Sequence, residues 1–208
     1  MASEISMGDV RVRWLGHSGF MFKSKDTVVY VDPYKVSHGE KADLILVTHD
    51  HYDHCDPASI SSLKKEGTVI VAPESCKQKL HKIKEIRTGK IIEERGVEIR
   101  AVPAYNRNKQ FHPEGSGIGY VFSMRGKRIY HAGDTDIIPE MENLGEVDVA
   151  LLPVGGTYTM DAEEAAEAAG KIDAEVTIPM HWGDVVGTRD DAEKFRKLAK
   201  VRVEILEK

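Results

Sequence analysis

Val10, Val12 and Trp14 alternate with Arg11 and Arg13, the period-two pattern of a half-buried strand. Gly16-His17-Ser18-Gly19 then reads as a turn, and Phe20-Met21-Phe22 as the second arm of a hairpin. Residues 27–31 are β-branched and aromatic and predict another strand, ending at Asp32-Pro33. A residue before proline is held extended, which would aim the Asp32 carboxylate outward from the strand end. Residues 43–48 predict a strand, and Asp56-Pro57 opens a helix running to about Lys65 and closed by Gly67. Residues 68–72 form a continuous apolar run, a buried strand, and 75–81 a short helix. Ile83-Lys84-Glu85-Ile86, Ile91-Ile92 and 97–102 predict antiparallel strands with turns at Gly89 and Gly96.

In the second half, residues 118–122 and 127–130 form a hairpin around Arg125-Gly126 that runs into His131-Ala132-Gly133-Asp134. Residues 147–152 predict a buried strand, and Asp161 with Glu164 is a capping-box start for an alanine-rich helix ending near Gly170. Residues 176–180 make a strand that ends on His181, Thr188 with Asp191 starts a last helix, and Val201, Val203 and Ile205 alternate in a closing strand. The polar, glycine-rich segment 103–117 is a long loop, and long loops in compact domains tend to be functional or disordered. The order is β-meander, βαβα, β-meander, βαβα, which predicts an α/β (α+β) chain of two similar halves.

The length, 208 residues, fits one domain over 1–208, with 1–8 read as a frayed N-terminal tail. The composition, 41% hydrophobic and 30% charged, is that of a soluble globular protein. The formal net charge of −5 comes with no basic tract, so nucleic acid is not an expected partner. Apolar stretches of four to six residues are too short to span a membrane, and the N-terminus lacks the pattern of a signal peptide. Two cysteines, Cys55 and Cys76, are too few for a disulfide framework and fit a cytoplasmic location.

The chemistry concentrates in Thr48-His49-Asp50-His51-Tyr52-Asp53-His54, where three of the nine histidines fall within six residues directly after an apolar run. Imidazole and carboxylate are ligands of divalent transition ions. His49 and His51, two apart, project to one side of an extended chain, and Asp53 and His54 turn back toward a second ion. Other apolar strands run into Asp134 and His181, and the carboxyl ends of strands are where α/β sheets build their sites. Gly133 allows a tight turn before Asp134, which has lone pairs to share between two ions. His49, His51, Asp53, His54, Asp134 and His181 make six donors, enough for two ions if one more nitrogen joins.

These motifs, together with Trp14-Leu15-Gly16-His17-Ser18, Asp32-Pro33, Gly133-Asp134-Thr135 and Pro179-Met180-His181, resemble the metallo-β-lactamase superfamily of metal-dependent hydrolases. Within it they are most similar to the branch containing ascorbate-6-phosphate lactonase. The resemblance runs from about Val10 to the end and implies a four-layer αββα sandwich with a dinuclear site at its edge. It implies that His49 and His51 hold the first ion, Asp53, His54 and His181 the second, and that Asp134 bridges them. Superfamily members supply a third histidine to the first ion just after the mid-chain strand, where this chain has Pro103-Ala104-Tyr105-Asn106. His112 is the favoured replacement, with Asn106 and water as the other candidates.

The cofactors expected are two divalent ions, zinc first, with manganese or iron accepted by the same donors. Two such cations ~3.5–4 Å apart lower the pKa of a shared water, so that hydroxide exists near neutral pH. Asp53 and Asp134 are the candidate catalytic carboxylates, Asp53 as ligand and proton shuttle. Asp32 either orients a metal-bound imidazole or caps a turn. His17 either touches substrate or closes its turn, while His131 packs or orients and His38 and His81 lie on the surface. Arg107 and Lys109 either grip an anionic substrate or belong to a solvated loop. The expected activity is hydrolysis of a small-molecule ester, lactone or phosphoester. The alternatives are a phosphodiesterase or nuclease, an iron-dependent redox enzyme, and a metal-binding protein without catalysis.

Overall fold

The alternation that opens the chain builds the first layer: in β2 (Val10–Gly16) Val10, Val12 and Trp14 are buried and Arg11 and Arg13 exposed. The computed structural model describes residues 3–208. Of the segment 1–8 expected to fray, residues 1–2 lie outside the described residues, while Glu4–Met7 forms β1, which pairs antiparallel with β2 in the register Met7 to Val10. Isolated alternation was too short there to be read, but pairing with β2 satisfies its backbone groups.

β3 (Gly19–Lys23) and β4 (Val28–Val31) continue antiparallel, and β5 (Leu44–Leu46), β6 (Val69–Ala72) and β7 (Lys84–Glu85) follow in parallel. The second sheet repeats this logic. β8 (Ile91–Glu94), β9 (Val97–Ala104), β10 (Gly117–Met124) and β11 (Lys127–His131) are antiparallel, and β12 (Val149–Pro153) and β13 (Val176–Met180) add in parallel. The two halves thus share one pairing pattern, antiparallel then parallel. Two of its hairpins use two-residue turns, Arg95-Gly96 and Arg125-Gly126, with φ positive at both residues, the geometry that matches strand twist.

The sheets stack face to face. Phe22 of the first meets Phe122 of the second edge-on, ring centroids 5.0 Å apart, and the Tyr120 hydroxyl crosses the gap to donate to the Val47 carbonyl at 2.8 Å. Truncating a ring in such a core costs ~3–5 kcal/mol. Helix α1 (Pro57–Leu63), capped by Asp56, packs Ile60 and Leu63 on the outer face of the first sheet beside Tyr30, Ile45 and Ile70. Helices α2 (Ala162–Ile172) and α3 (Arg189–Leu198) cover the second, the small residues Ala165, Ala168 and Ala169 facing inward. The result is the αββα sandwich, with its core shared between the sheets.

Several local expectations change. The segment 75–81 is a short 3-10 turn, Glu74–Gln78. β7 joins the first sheet beside β6 instead of pairing with β8, so Gly89 lies in the passage between sheets, its N–H donating to Ala101. Helix α2 continues past Gly170 because Asp173 takes the left-handed cap, φ 52°. The closing strand reduces to one bridge, Thr177 to Val203. Thr177 exchanges hydrogen bonds with Arg202 and Glu204, and two residues on Pro179 has no N–H with which to extend the ladder.

Candidate metal centre

Three strand ends of the first half and two of the second meet at one edge of the sandwich. Backbone hydrogen bonds tie them: Ile118 N–H to the Thr48 carbonyl at 3.1 Å, and His181 N–H to the His17 carbonyl at 2.9 Å. Past β4, Asp32 has φ 44°, so it is left-handed and not extended as its place before proline predicts. Its side chain turns inward and accepts from the Thr48 N–H at 2.8 Å and the Thr48 hydroxyl at 2.6 Å. That inward carboxylate also meets His54 Nδ1 at 2.7 Å, the contact that orients an imidazole. His17 and His181 are likewise left-handed, φ 52° and 60°. Strained residues gathered at one site fit a functional constraint.

The donors converge on a single oxygen. Asp134 Oδ2 lies 3.1 Å from His181 Nε2, 3.3 Å from His54 Nε2, 3.4 Å from His112 Nε2 and 3.8 Å from His49 Nε2. Two further groupings share these residues: His49, His51 and His112 on one side, and His17, Asp53, His54 and His181 on the other, donor atoms within 4.8 Å of one another in each. Gly133, φ 68°, makes the approach possible, since a Cβ there would sit 2.9 Å from the Ile118 carbonyl oxygen.

His112 reaches the centre from the 105–116 loop. Its Nδ1 faces Asn106 Oδ1 and the Tyr158 carbonyl, both at 3.2 Å, so that nitrogen carries the proton. Nε2 then faces His51 Nδ1 at 3.1 Å, where two lone pairs require a proton or cation between them. Asn106 braces this histidine: its Oδ1 accepts from the His112 N–H at 3.0 Å, and its Nδ2 donates to Asp136 and Tyr158. Both ends of the amide are used, leaving Asn106 no free donor for the centre. His17 Nε2 contacts Asp53 Oδ2 at 2.9 Å, its ring 4.1 Å from that of His181. His131 stands behind the centre, donating from Nε2 to the Ser18 carbonyl at 2.9 Å and accepting the Gly133 N–H at Nδ1. Lys109 is held by Asp136 at 2.6 Å and Glu164 at 3.5 Å, outside the ring of donors. His38 and His81 are exposed.

The electrostatics keep the carboxylates of this centre ionised. Burial pushes Asp134 up, but His181 and His54 outweigh it and hold the carboxyl well below the usual range. Burial likewise opposes Asp53, yet the His17 contact and His54 bring it down to about 2. His49 is lowered well below an ordinary imidazole by burial and by His54, and His112 and His17 are lowered mainly by burial. His54 is raised, burial being outweighed by Asp134 and Asp32. His49 Nε2 and His54 Nε2 are buried with no hydrogen-bond partner. An orphaned buried nitrogen costs ~1–3 kcal/mol, and two of them aimed near one carboxylate fit a divalent cation.

A cavity of about 240 Å³ opens onto this centre, lined by His51, Asp53, His112, Asp134 and His181 and by Tyr52, Phe111, Tyr158 and Val185. The aromatic lining residues were invisible as site residues from sequence, and so were the roles of Thr48 and Asp136. The available signal was a large apolar side chain inside a polar loop, as at Phe111.

A beta-lactamase superfamily domain matches residues 11–181, most of the chain. The chain belongs to the metallo-β-lactamase superfamily of metal-dependent hydrolases. It is 38% identical to a UPF0173 metal-dependent hydrolase of Thermoplasma acidophilum, the match covering 93% of this chain and 92% of that protein. A protein of Parabacteroides distasonis superposes with TM-score 0.90 at 32% identity over the full length of both chains. Igni18, a metallo hydrolase of the hyperthermophilic archaeon Ignicoccus hospitalis, superposes with TM-score 0.77 at 28% identity, covering 96% of each.

Proposed function

We propose that this superfamily member is a dinuclear hydrolase of a small ester or lactone, with phosphoester hydrolysis as the alternative. The observation that carries the reading is the gathering of the buried His49 and His54 Nε2 atoms, neither in a hydrogen bond, near Asp134 Oδ2 at 3.8 and 3.3 Å. His49, His51 and His112 would hold one ion, Asp53, His54 and His181 the other, with Asp134 shared. Divalent cations held there would supply Lewis acidity toward a carbonyl or phosphoryl oxygen and would acidify water.

The remaining work falls to the chain. Asp53 faces the cavity with one oxygen anchored by His17, which places a carboxylate to receive a proton from water and return it to the leaving group. Asp32 fixes His54 through Nδ1 and leaves Nε2 facing the centre. Asn106 and Tyr158 do the same for His112. Zinc is the first candidate metal for this nitrogen-rich donor set. A lactone, as in the ascorbate-6-phosphate lactonase branch, is one form of the ester reading. A cytoplasmic location is supported by Cys55 and Cys76, both buried free thiols. No helix among the described residues is long and apolar enough to cross a membrane.

Elemental analysis of protein purified without chelator or added metal, together with a screen of generic esters, lactones, phosphomonoesters and phosphodiesters, tests this. About two zinc or manganese ions per chain with ester or lactone turnover is expected. Iron with no hydrolysis would replace it with redox chemistry, and turnover of phosphomonoesters or phosphodiesters alone would select the alternative.

A further inference from the structure

The cavity above Asp134 has two kinds of wall. Its floor is polar, while Tyr52, Phe111, Tyr158 and Val185 stand around its mouth. Tyr52 is 60% exposed and Phe111 49%, two of the four large hydrophobic residues exposed among the described residues. Neither ring is loose. Phe111 stands edge-on to Tyr158, centroids 4.7 Å apart at 89°, and Tyr52 is braced by Tyr34 at 5.9 Å. Exposed apolar side chains fixed around a concave site mark a surface that a ligand covers.

Among the described residues, no lysine or arginine lines this cavity. Two lysines of the neighbouring loops are ion-paired, and the nearby arginine lines another groove. Lys35 pairs with Asp184 at 2.7 Å and lies over the Tyr34 ring. Lys109 pairs with Asp136 and Glu164, and Arg107 lines a separate groove with Asp136 and Glu142. A phosphate or carboxylate remote from the scissile bond would therefore enter an apolar mouth with no counter-charge, and desolvating it there is unfavourable. The volume, about 240 Å³, falls below the roughly 300–1,000 Å³ of drug-sized sites.

We infer that the substrate is a small neutral ester or lactone bearing an apolar aryl or alkyl group, gripped by Phe111 and Tyr158 beside the scissile carbonyl. This rests on the ester-hydrolase reading above. The reaction needs only water: the acyl carbon gains the hydroxyl, the acyl C–O bond breaks, and the departing alkoxy oxygen takes the proton.

The test uses the metal-loaded protein and two acetate esters alike at the reacting carbonyl, 2-phenylethyl acetate and 2-phosphoethyl acetate. A kcat/KM roughly tenfold or more in favour of the phenyl ester is expected, the scale of one apolar contact set. Phe111→Ala should lower phenyl-ester kcat/KM roughly tenfold, chiefly by raising KM, with metal content unchanged. Equal or better turnover of the phosphate ester, or an unaltered KM in Phe111→Ala, would overturn the inference. Calorimetric binding of 5-phenyl-2-pentanone, the ketone isostere, separates this from failure of the hydrolase reading. Ketone binding that Phe111→Ala weakens, with neither ester hydrolysed, upholds the apolar grip and removes the ester chemistry. Absence of both binding and hydrolysis overturns the grip itself.

Discussion

Asp32 Oδ2 sits 2.7 Å from His54 Nδ1, both side chains fully buried, although the two residues are 22 apart in sequence. The carboxylate fixes which imidazole nitrogen is free, and that nitrogen faces Asp134 at 3.3 Å. Removing such a partner to a metal-bound histidine costs 10–100-fold in metal affinity. Asp32→Ala should therefore weaken metal binding by roughly that factor, and Asp32→Asn, which keeps an acceptor, by less. Competitive titration against a chromogenic chelator measures it, and equal affinities would return Asp32 to a role in capping its turn.

In the proposed centre His112 would be a ligand and Asn106 its brace. His112→Ala should lose one of two ions while the other stays at full occupancy. Asn106→Ala should reduce occupancy of the same ion by a smaller amount, since His112 keeps its contact with the Tyr158 carbonyl. Elemental analysis of the two variants decides between them. Full occupancy of both ions in His112→Ala would sink its place in the centre.

A Cβ on Gly155 would overlap the His181 carbonyl oxygen and crowd Val186. Backbone must move, and the backbone concerned carries His181. Gly155→Ala should destabilise the fold by ~1–3 kcal/mol, as overpacking does, and lower metal content together with it. Urea midpoints and metal analysis of the same preparation test both effects.

Both His131 ring nitrogens are used in the neutral form, one donating to Ser18 and one accepting from Gly133, and burial lowers its basicity. In the unfolded chain the imidazole titrates near 6.5. Below that pH the unfolded state binds a proton that the folded state lacks, so stability falls as pH falls and is fully present above it. For this one group the slope reaches at most about 1.4 kcal/mol per pH unit. Denaturation of metal-free protein between pH 7.5 and 5 should show a shallower dependence in His131→Gln. Parallel curves would remove His131 from the acid response.

Most of the elements, and the candidate metal-binding segment, are legible in the order of the residues. Period-two patterning over Val10–Trp14, continuous apolar runs at 44–47 and 149–152, and the caps at Asp161 and Thr188 are local signals, and local forces decide them. The density of histidine and aspartate at 49–54 needed no tertiary knowledge to mark a metal site, because few other tasks use those groups so close together. The remaining features depend on contacts between residues far apart in the chain. β1 exists because β2 offers it a partner, and the closing strand stops because Pro179 cannot donate. Asp32 turns inward against the preference of a residue before proline, because three buried donors, from Thr48 and His54, reward the left-handed backbone. The 105–116 loop is anchored by Asp136, which takes Asn106, the Arg107 N–H and Lys109 together and so brings His112 and Phe111 to the cavity. Those contacts span about thirty residues and carry no periodic signature, which is why the residues around the mouth could be found only once the chain was folded.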